Sequence, residues 1–452
     1  MAASKNAYLF YCAAVIALGT FQFGYNMAEL NEPREAMSCL TADGHKNKTP
    51  SPAEPIKAPG YFSDCIPMAP WQYSLVTSIF AAGGLTGALL AGPLTKRYGR
   101  RRALFLNALG LTLAGLIKAA APNVNILAFG RLLSGIGSGA AAVVVPLYLN
   151  EIAPKDSEGS FGALTQISIN VGILMTQVAG LSLSEPLIWR WILVIGAVCG
   201  ALQAFLLLSI PESPKYLLSI GDKPGARDAL ARLRGANASN TIEAEIREEQ
   251  PLVESDSNRE KVSFITFITS PVYRRSALTV CGLMFAQQLT GINAVIFHGV
   301  SVLAKLLPNQ AGSINVFISL ANLLITSIAS FFFDRVSHKL LLILSMLGMG
   351  TFAFLLAAGL HWYIPILTAV ACLMFVSSFS MGLGPLPWMV AGRTVKYEAV
   401  DAAQAAGLVV NWIGTFIVAF GVPLVPTQIC FVLFGGIGYL SAFLVSWGVE
   451  AY

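Results

Sequence analysis

The sequence predicts an all-α membrane protein with twelve transmembrane helices in two six-helix bundles. Three observations carry this. Only 12% of the 452 residues are charged, against roughly 25% in ordinary soluble domains, while 55% are hydrophobic. Apolar stretches recur along the chain, each close to the about 20 residues that cross a hydrocarbon core about 30 Å thick. They fall into two groups of six around one long polar interval. This composition cannot wet a globular surface, which excludes a soluble enzyme, and it is too apolar for a disordered chain. A net charge of +5 spread over such a length is no nucleic-acid surface.

In order, the stretches lie near 8–28, 73–94, 102–121, 124–149, 160–182 and 190–209, then near 275–303, 311–333, 339–359, 363–391, 402–421 and 429–448. The first is too long for a cleaved signal, and no small-residue cleavage pattern follows it. If the N-terminus is cytosolic, 21 of the 29 Lys and Arg fall on the cytosolic side and 7 on the other, with Arg131 at a helix end. That asymmetry places both termini and the central loop in the cytosol; the expected membrane is the plasma or the vacuolar one, between which the sequence does not choose.

The loops divide the chain into an N-terminal bundle (1–209) with an exoplasmic loop (33–71), a cytosolic linker (210–274) and a C-terminal bundle (275–452). In the linker, Asp222-Lys-Pro-Gly is a helix-start signal. Ala226, Ala229, Leu230 and Leu233 then recur at helical spacing before Gly235 ends the run. Thr241 to Gln250 reads as a second short helix. In the exoplasmic loop, Asn47-Lys-Thr49 is an acceptor pattern for N-glycosylation, weakened by Pro50. Cys39 and Cys65 share that loop on the oxidising side, where they can pair.

The halves also share a repeat. After the second span comes Gly92…Lys96-Arg97-Tyr98-Gly99-Arg100-Arg101; after the eighth comes Asp334-Arg335…Lys339. Two halves related in this way suit a transporter with its site between them. Together with Pro146…Glu151, Pro211-Glu-Ser-Pro-Lys215, Gln287-Gln-Leu-Thr-Gly-Ile-Asn293, Gly384-Pro-Leu-Pro-Trp388 and Asn411-Trp412, these turns make the chain resemble the facilitative sugar transporters of the major facilitator superfamily. The resemblance covers nearly the whole sequence.

It implies a monomeric carrier of a small sugar or polyol working by alternating access, with no enzyme activity and no cofactor. Neutral amides suit hydroxyls, because each offers two donors and an acceptor without a charge. Gln166, Gln287, Gln288, Asn293 and Asn322 match the family's sugar ligands. Gln177 and Asn411 fit helix-to-helix hydrogen bonds instead. Trp388 and Trp412 are placed to stack on a pyranose or to pack in the core. Gly291 interrupts the seventh span; Gly382, Gly384, Pro385 and Pro387 break the tenth. The resemblance makes these two helices the gates, with Phe297 and His298 at the outer one.

The departures from the family bear on function. Ser380 stands where the family's glucose transporters have glutamate, Thr415 where they have asparagine, and His298 where a tyrosine is usual. The shorter arms of Ser380 and Thr415 put glucose itself in doubt. The family's cytosolic charge network maps onto Arg97, Arg101, Glu151, Glu158, Glu212, Asp334, Arg335 and Arg393. Within it, Glu158 and Arg393 have exchanged signs relative to the family, so they are expected to pair. Proton-coupled relatives carry a carboxylate where Asn26 stands, which favours passive transport. Glu29 and Arg131 offer an alternative coupling site, since intramembrane charges mark function. A non-transporting sensor is a third reading, disfavoured because the sequence stops at Tyr452. The four His show no catalytic or metal spacing.

Overall fold

A computed structural model describes residues 2–39, 65–154, 158–186, 188–235, 242–247, 262–330, 332, 336–388, 395 and 397–448. Twelve of its helices are long and apolar enough to cross a membrane: Ala7–Ala28, Pro70–Tyr98, Arg100–Ala119, Val124–Ile152, Phe161–Leu183, Arg190–Leu207, Arg274–Ala304, Ala311–Ser330, His338–His361, Pro365–Trp388, Val400–Leu424 and Thr427–Trp447. We number them as spans 1 to 12. No strand occurs among the described residues. Large apolar side chains such as Phe205, Phe317, Ile366 and Trp447 face outward, as a lipid-facing surface requires.

Spans 1–6 and 7–12 form the two bundles. Between helices in lipid the hydrophobic effect contributes little, so close backbone approach does the work, and small residues allow it. Spans 2 and 4 show this. A Cβ on Gly87 would lie 1.8 Å from the Ile136 carbonyl oxygen, and one on Gly139 would lie 1.9 Å from the Gly84 oxygen. Spans 1 and 5 meet likewise, with Gly24 against the Ile169 carbonyl and Gly172 against that of Phe21. The halves touch where span 2 meets span 11 and span 5 meets span 8.

One end of the bundle carries the Cys39–Cys65 disulfide (Cα–Cα 5.6 Å), and the other carries the linker. At the disulfide end, a short helix Arg34–Ser38 is tied to the approach to span 2 by Ile66 N–H donating to the Met37 carbonyl (2.7 Å). At the linker end, Asp222 caps the helix Lys223–Arg234 by accepting from Gly225 N–H. Ala226, Ala229, Leu230 and Leu233 are buried, and Gly235 ends the helix at a φ of 92°. Residues 242–247 are helical as well. Arg232 donates to the Tyr8 hydroxyl (2.7 Å) and the Ser209 carbonyl (2.9 Å), and Arg234 donates to the Ile152 carbonyl (2.8 Å). The linker helix is thereby fastened beneath spans 1, 4 and 6.

The glycine crossings predict a graded response. Gly139→Leu should destabilise the protein by about 1–3 kcal/mol or more through overpacking. Gly110→Leu, at a position with open space around it, should leave thermal unfolding in detergent unchanged. Equal melting temperatures for the two variants would contradict this packing.

Candidate functional site

Two polar clusters occupy the middle depth of the bundle, where the halves meet. The first crosses between them. Gln166 Nε2 donates to Asn170 Oδ1 (3.3 Å) one turn along span 5, and Asn322 Nδ2 of span 8 donates to the same oxygen (3.4 Å). Asn170 Nδ2 donates to Thr326 Oγ1 (3.0 Å), and Ser380 donates to Asn322 Oδ1 (2.6 Å). Gln166, Asn322 and Ser380 are thus brought together as expected positions of one site. Asn170 and Thr326 were missed. The signal for Asn170 was available, since it lies four residues from Gln166 on the same face of an apolar helix.

The second cluster lies within the C-terminal half. Gln288 accepts from Asn293, which also donates to Thr415 Oγ1 (3.2 Å). Gln287 is fully engaged. Its amide donates to the carbonyls of Leu383 and Gly384 (2.7 Å each), and its oxygen accepts from Asn411 (2.7 Å) and Gln288 (3.3 Å). The reason lies in span 10. The helical partner of the Leu383 carbonyl would be the N–H of residue 387, which is a proline and has none. Gln287 supplies the missing donor. A π turn at Phe379–Leu383 precedes Gly384, whose N–H reaches back to Phe379 (2.9 Å), and Pro385 follows. Gly291 breaks span 7 in a left-handed conformation (φ 93°), with the Phe434 ring where a side chain would project.

Aromatic rings separate this region from the disulfide end. Trp412 covers Gly84 and packs with Phe23 and Phe80, and Phe297 meets Phe80 edge-on (6.3 Å). His298 is buried beside Tyr73, with Nε2 3.2 Å from the Ala419 carbonyl oxygen. Between the halves at this end, Asn31 accepts from Val300 N–H (3.1 Å). The Trp412 indole N–H is buried without a partner, so it is available to a ligand. Trp388 closes span 10 at 39% exposure, in no ring pair with Trp412 among the described residues. Gln177 is buried in span 5, its side-chain oxygen unpartnered.

Near the disulfide end of the N-terminal bundle sits a buried charge cluster. Glu29 Oε1 accepts from Lys118 of span 3 and from Arg131 of span 4 (2.9 Å). Lys118 also donates to Asn26 Oδ1 (2.7 Å), and Arg131 to the Asn26 carbonyl while lying over Phe80 (4.6 Å). Sequence reading put Asn26, Glu29 and Arg131 together but did not name Lys118 with them, which ends the third apolar stretch. Lys118 is 0% exposed. Only its place at the end of an apolar helix was visible in the sequence, not the carboxylate that receives it.

At the linker end, Arg100 holds Glu151 with Nε (2.8 Å) and Nη2 (2.7 Å). Glu212 accepts from the backbone N–H groups of Arg100 and Arg101 (2.8 and 2.9 Å), and Arg101 donates to the Ile210 carbonyl (3.1 Å). Arg97 lies over Tyr98. Arg100 was read from the sequence only as part of the basic turn and not as a member of this network, where the structure pairs it with Glu151. The Glu158 side chain, Asp334, Arg335, Arg393 and Asn47 lie outside the described residues.

Residues 12–451 match the family model described as sugar (and other) transporter. The chain is 33% identical over 416 residues to a probable metabolite transport protein of Saccharomyces cerevisiae, covering 91% of this chain and 85% of that one. It is 32% identical over 416 residues to solute carrier family 2, facilitated glucose transporter member 4, of Bos taurus, covering 89% and 80%. Among solved structures, a partially occluded inward open conformation of the xylose transporter XylE from E. coli superposes with a TM-score of 0.80 at 21% identity, covering 98% of this chain and 100% of that one. That likeness is one of fold.

The charge cluster predicts an order of stabilities. Glu29→Gln leaves two buried cations without their anion and should cost about 3–5 kcal/mol. Adding Lys118→Met removes one of those cations and should recover part of the loss in detergent melting. Additive losses in the double variant would rule out the shared carboxylate.

Glu32 predicts a pH dependence. It is wedged between the halves: a Cβ on Gly180 would lie 2.4 Å from its Cγ, and one on Gly312 would lie 2.1 Å from its Oε1. Its Oε2 is buried without a partner. Spans 5 and 8 bring no titratable side chain to it. Of the charges near it in sequence, Glu29 is paired as above, Arg34 lies over Tyr73, and Glu35 is exposed. Burial pushes the Glu32 carboxyl up to about 7. When the halves part at this end, the exposed carboxyl returns to its ordinary value of 4.5. The closed arrangement therefore holds a proton that the open one releases, and closure weakens as pH rises between those values. Spin labels at Glu35→Cys and Asn309→Cys should show a growing short-distance population on going from about pH 8 to about pH 5.5. Glu32→Gln should abolish the change; a wild type indifferent to pH would refute it.

Proposed function

Because this chain belongs to the family of sugar (and other) transporters, we propose that it is a membrane carrier moving a hexose or similar small sugar or polyol by alternating access. The observation that carries the reading is the uncharged amide chain at mid-depth, Gln166–Asn170–Asn322–Ser380, drawn from both halves. Amides and hydroxyls match the alternating donors and acceptors of a polyol. Gln288, Asn293, Thr415 and the Trp412 indole N–H complete the site. Gln287 acts by holding the break in span 10 rather than by offering free bonds.

Spans 7 and 10 are the moving gates, because their glycine and proline breaks let short helix segments turn independently. Phe297, His298 and Trp412 seal the disulfide end, which is the exoplasmic side if Lys and Arg follow the positive-inside distribution. Both termini and the linker then lie in the cytosol. The Glu151–Arg100 pair sits on that side, and Glu158 with Arg393 closes it when the opposite end opens. The carrier acts as a monomer in a plasma or vacuolar membrane.

Transport is passive in this reading. Asn26, which stands where proton-coupled relatives carry a carboxylate, cannot titrate, and Glu29 is engaged in ion pairs with Lys118 and Arg131. Purified protein in liposomes should equilibrate at least one labelled hexose, pentose or polyol. It should not concentrate that solute when only a pH gradient is imposed. Accumulation would establish coupling instead, and no uptake across the whole panel would remove the carrier assignment.

A further inference from the structure

Resting on the carrier reading above, we propose that Asn170 of span 5 is a substrate-binding and specificity-determining residue whose side chain bridges the halves in this structure and turns onto a substrate hydroxyl when sugar enters. Asn170 is 2% exposed and places a full amide in the largely apolar stretch Ile167 to Met175, where Ser168 is the other polar residue. A buried amide in such a helix costs free energy unless its hydrogen bonds are made. Here they are made, but two of them poorly. The bonds that Oδ1 accepts from Gln166 and Asn322 measure 3.3 and 3.4 Å, while the neighbouring Ser380–Asn322 and Gln287–Gly384 bonds measure 2.6 and 2.7 Å. Bonds near the long limit are weak. A hydroxyl, which donates and accepts, can replace the direct Asn170–Asn322 contact with two shorter ones.

The same geometry links binding to movement. Asn170 and Asn322 belong to opposite halves, each about midway along its span. A short, fixed bond there would hold spans 5 and 8 in one relation. A long bond that substrate can take over leaves the halves joined but separable. The residue also gains a role in selectivity: a site built to hydrogen-bond a given hydroxyl discriminates against the analogue that lacks it, because its own amide is then left unpaired.

The test compares wild type, Asn170→Leu and Asn170→Ser in liposomes against the best-transported sugar and its set of single deoxy analogues, with melting in detergent as a check on folding. Wild type should lose roughly tenfold in apparent affinity for one particular deoxy analogue, the scale of one buried hydrogen bond. Asn170→Leu should lose a similar factor for the parent sugar and no further factor for that analogue, with the maximal rate largely kept. Asn170→Ser, which retains a hydroxyl, should fall between them. If the variants lower the maximal rate equally for every analogue and leave relative affinities unchanged, Asn170 is helix-to-helix glue and the inference fails while the carrier reading stands. If wild type moves no sugar or polyol, both fail.

Discussion

Polar groups inside a lipid-embedded bundle have no water to turn to, so each must find its partner within the protein. That constraint organises this structure from one end to the other. It explains why the proline-rich break in span 10 is tolerated: Gln287 of span 7 supplies the donor that Pro387 denies the Leu383 carbonyl and also binds the Gly384 carbonyl beside it. The two helices with the least regular backbone are therefore tied by one side chain. A change in one must be felt by the other. The same constraint explains why Glu29 is held by Lys118 and Arg131, and why the Asn26 side chain and carbonyl both serve them.

Packing sets how close these partners come. The glycine crossings of spans 2 with 4 and 1 with 5 draw the N-terminal helices to backbone contact, which makes that half stiff. Across the interface the contacts differ in kind. At the disulfide end they are aromatic faces and single polar contacts, with Glu32 packed against Gly312 and Asn31 on Val300. At mid-depth they are long amide bonds. Rigid halves joined by contacts that exchange at modest cost are what a rocking motion needs, and the proposed substrate site falls where the exchangeable bonds are.

Much of this was legible in the residues. Hydropathy located all twelve spans, and glycines and prolines located the breaks in spans 7 and 10, because both signals act on the chain locally. Asp222 and Gly235 bounded the linker helix for the same reason. The amides Gln166, Gln288, Asn293 and Asn322 were recognisable by their type within apolar helices. What escaped was pairing. Lys118 reads as a loop-edge lysine by its position in sequence, and Arg100 is one of several adjacent basic residues until Glu151 is seen beside it.

The sequence alone determined that the chain lives in a membrane, where its helices begin and break, and that its interior is lined with neutral amides. These follow from composition and short-range spacing. The tertiary structure decided which groups meet: Gln287 spends its hydrogen bonds on span 10, Lys118 answers Glu29, and Asn170 reaches across to Asn322. Those outcomes depend on how each helix is rotated about its axis. That rotation is set by the packing of neighbours far apart in the chain, which no local pattern records.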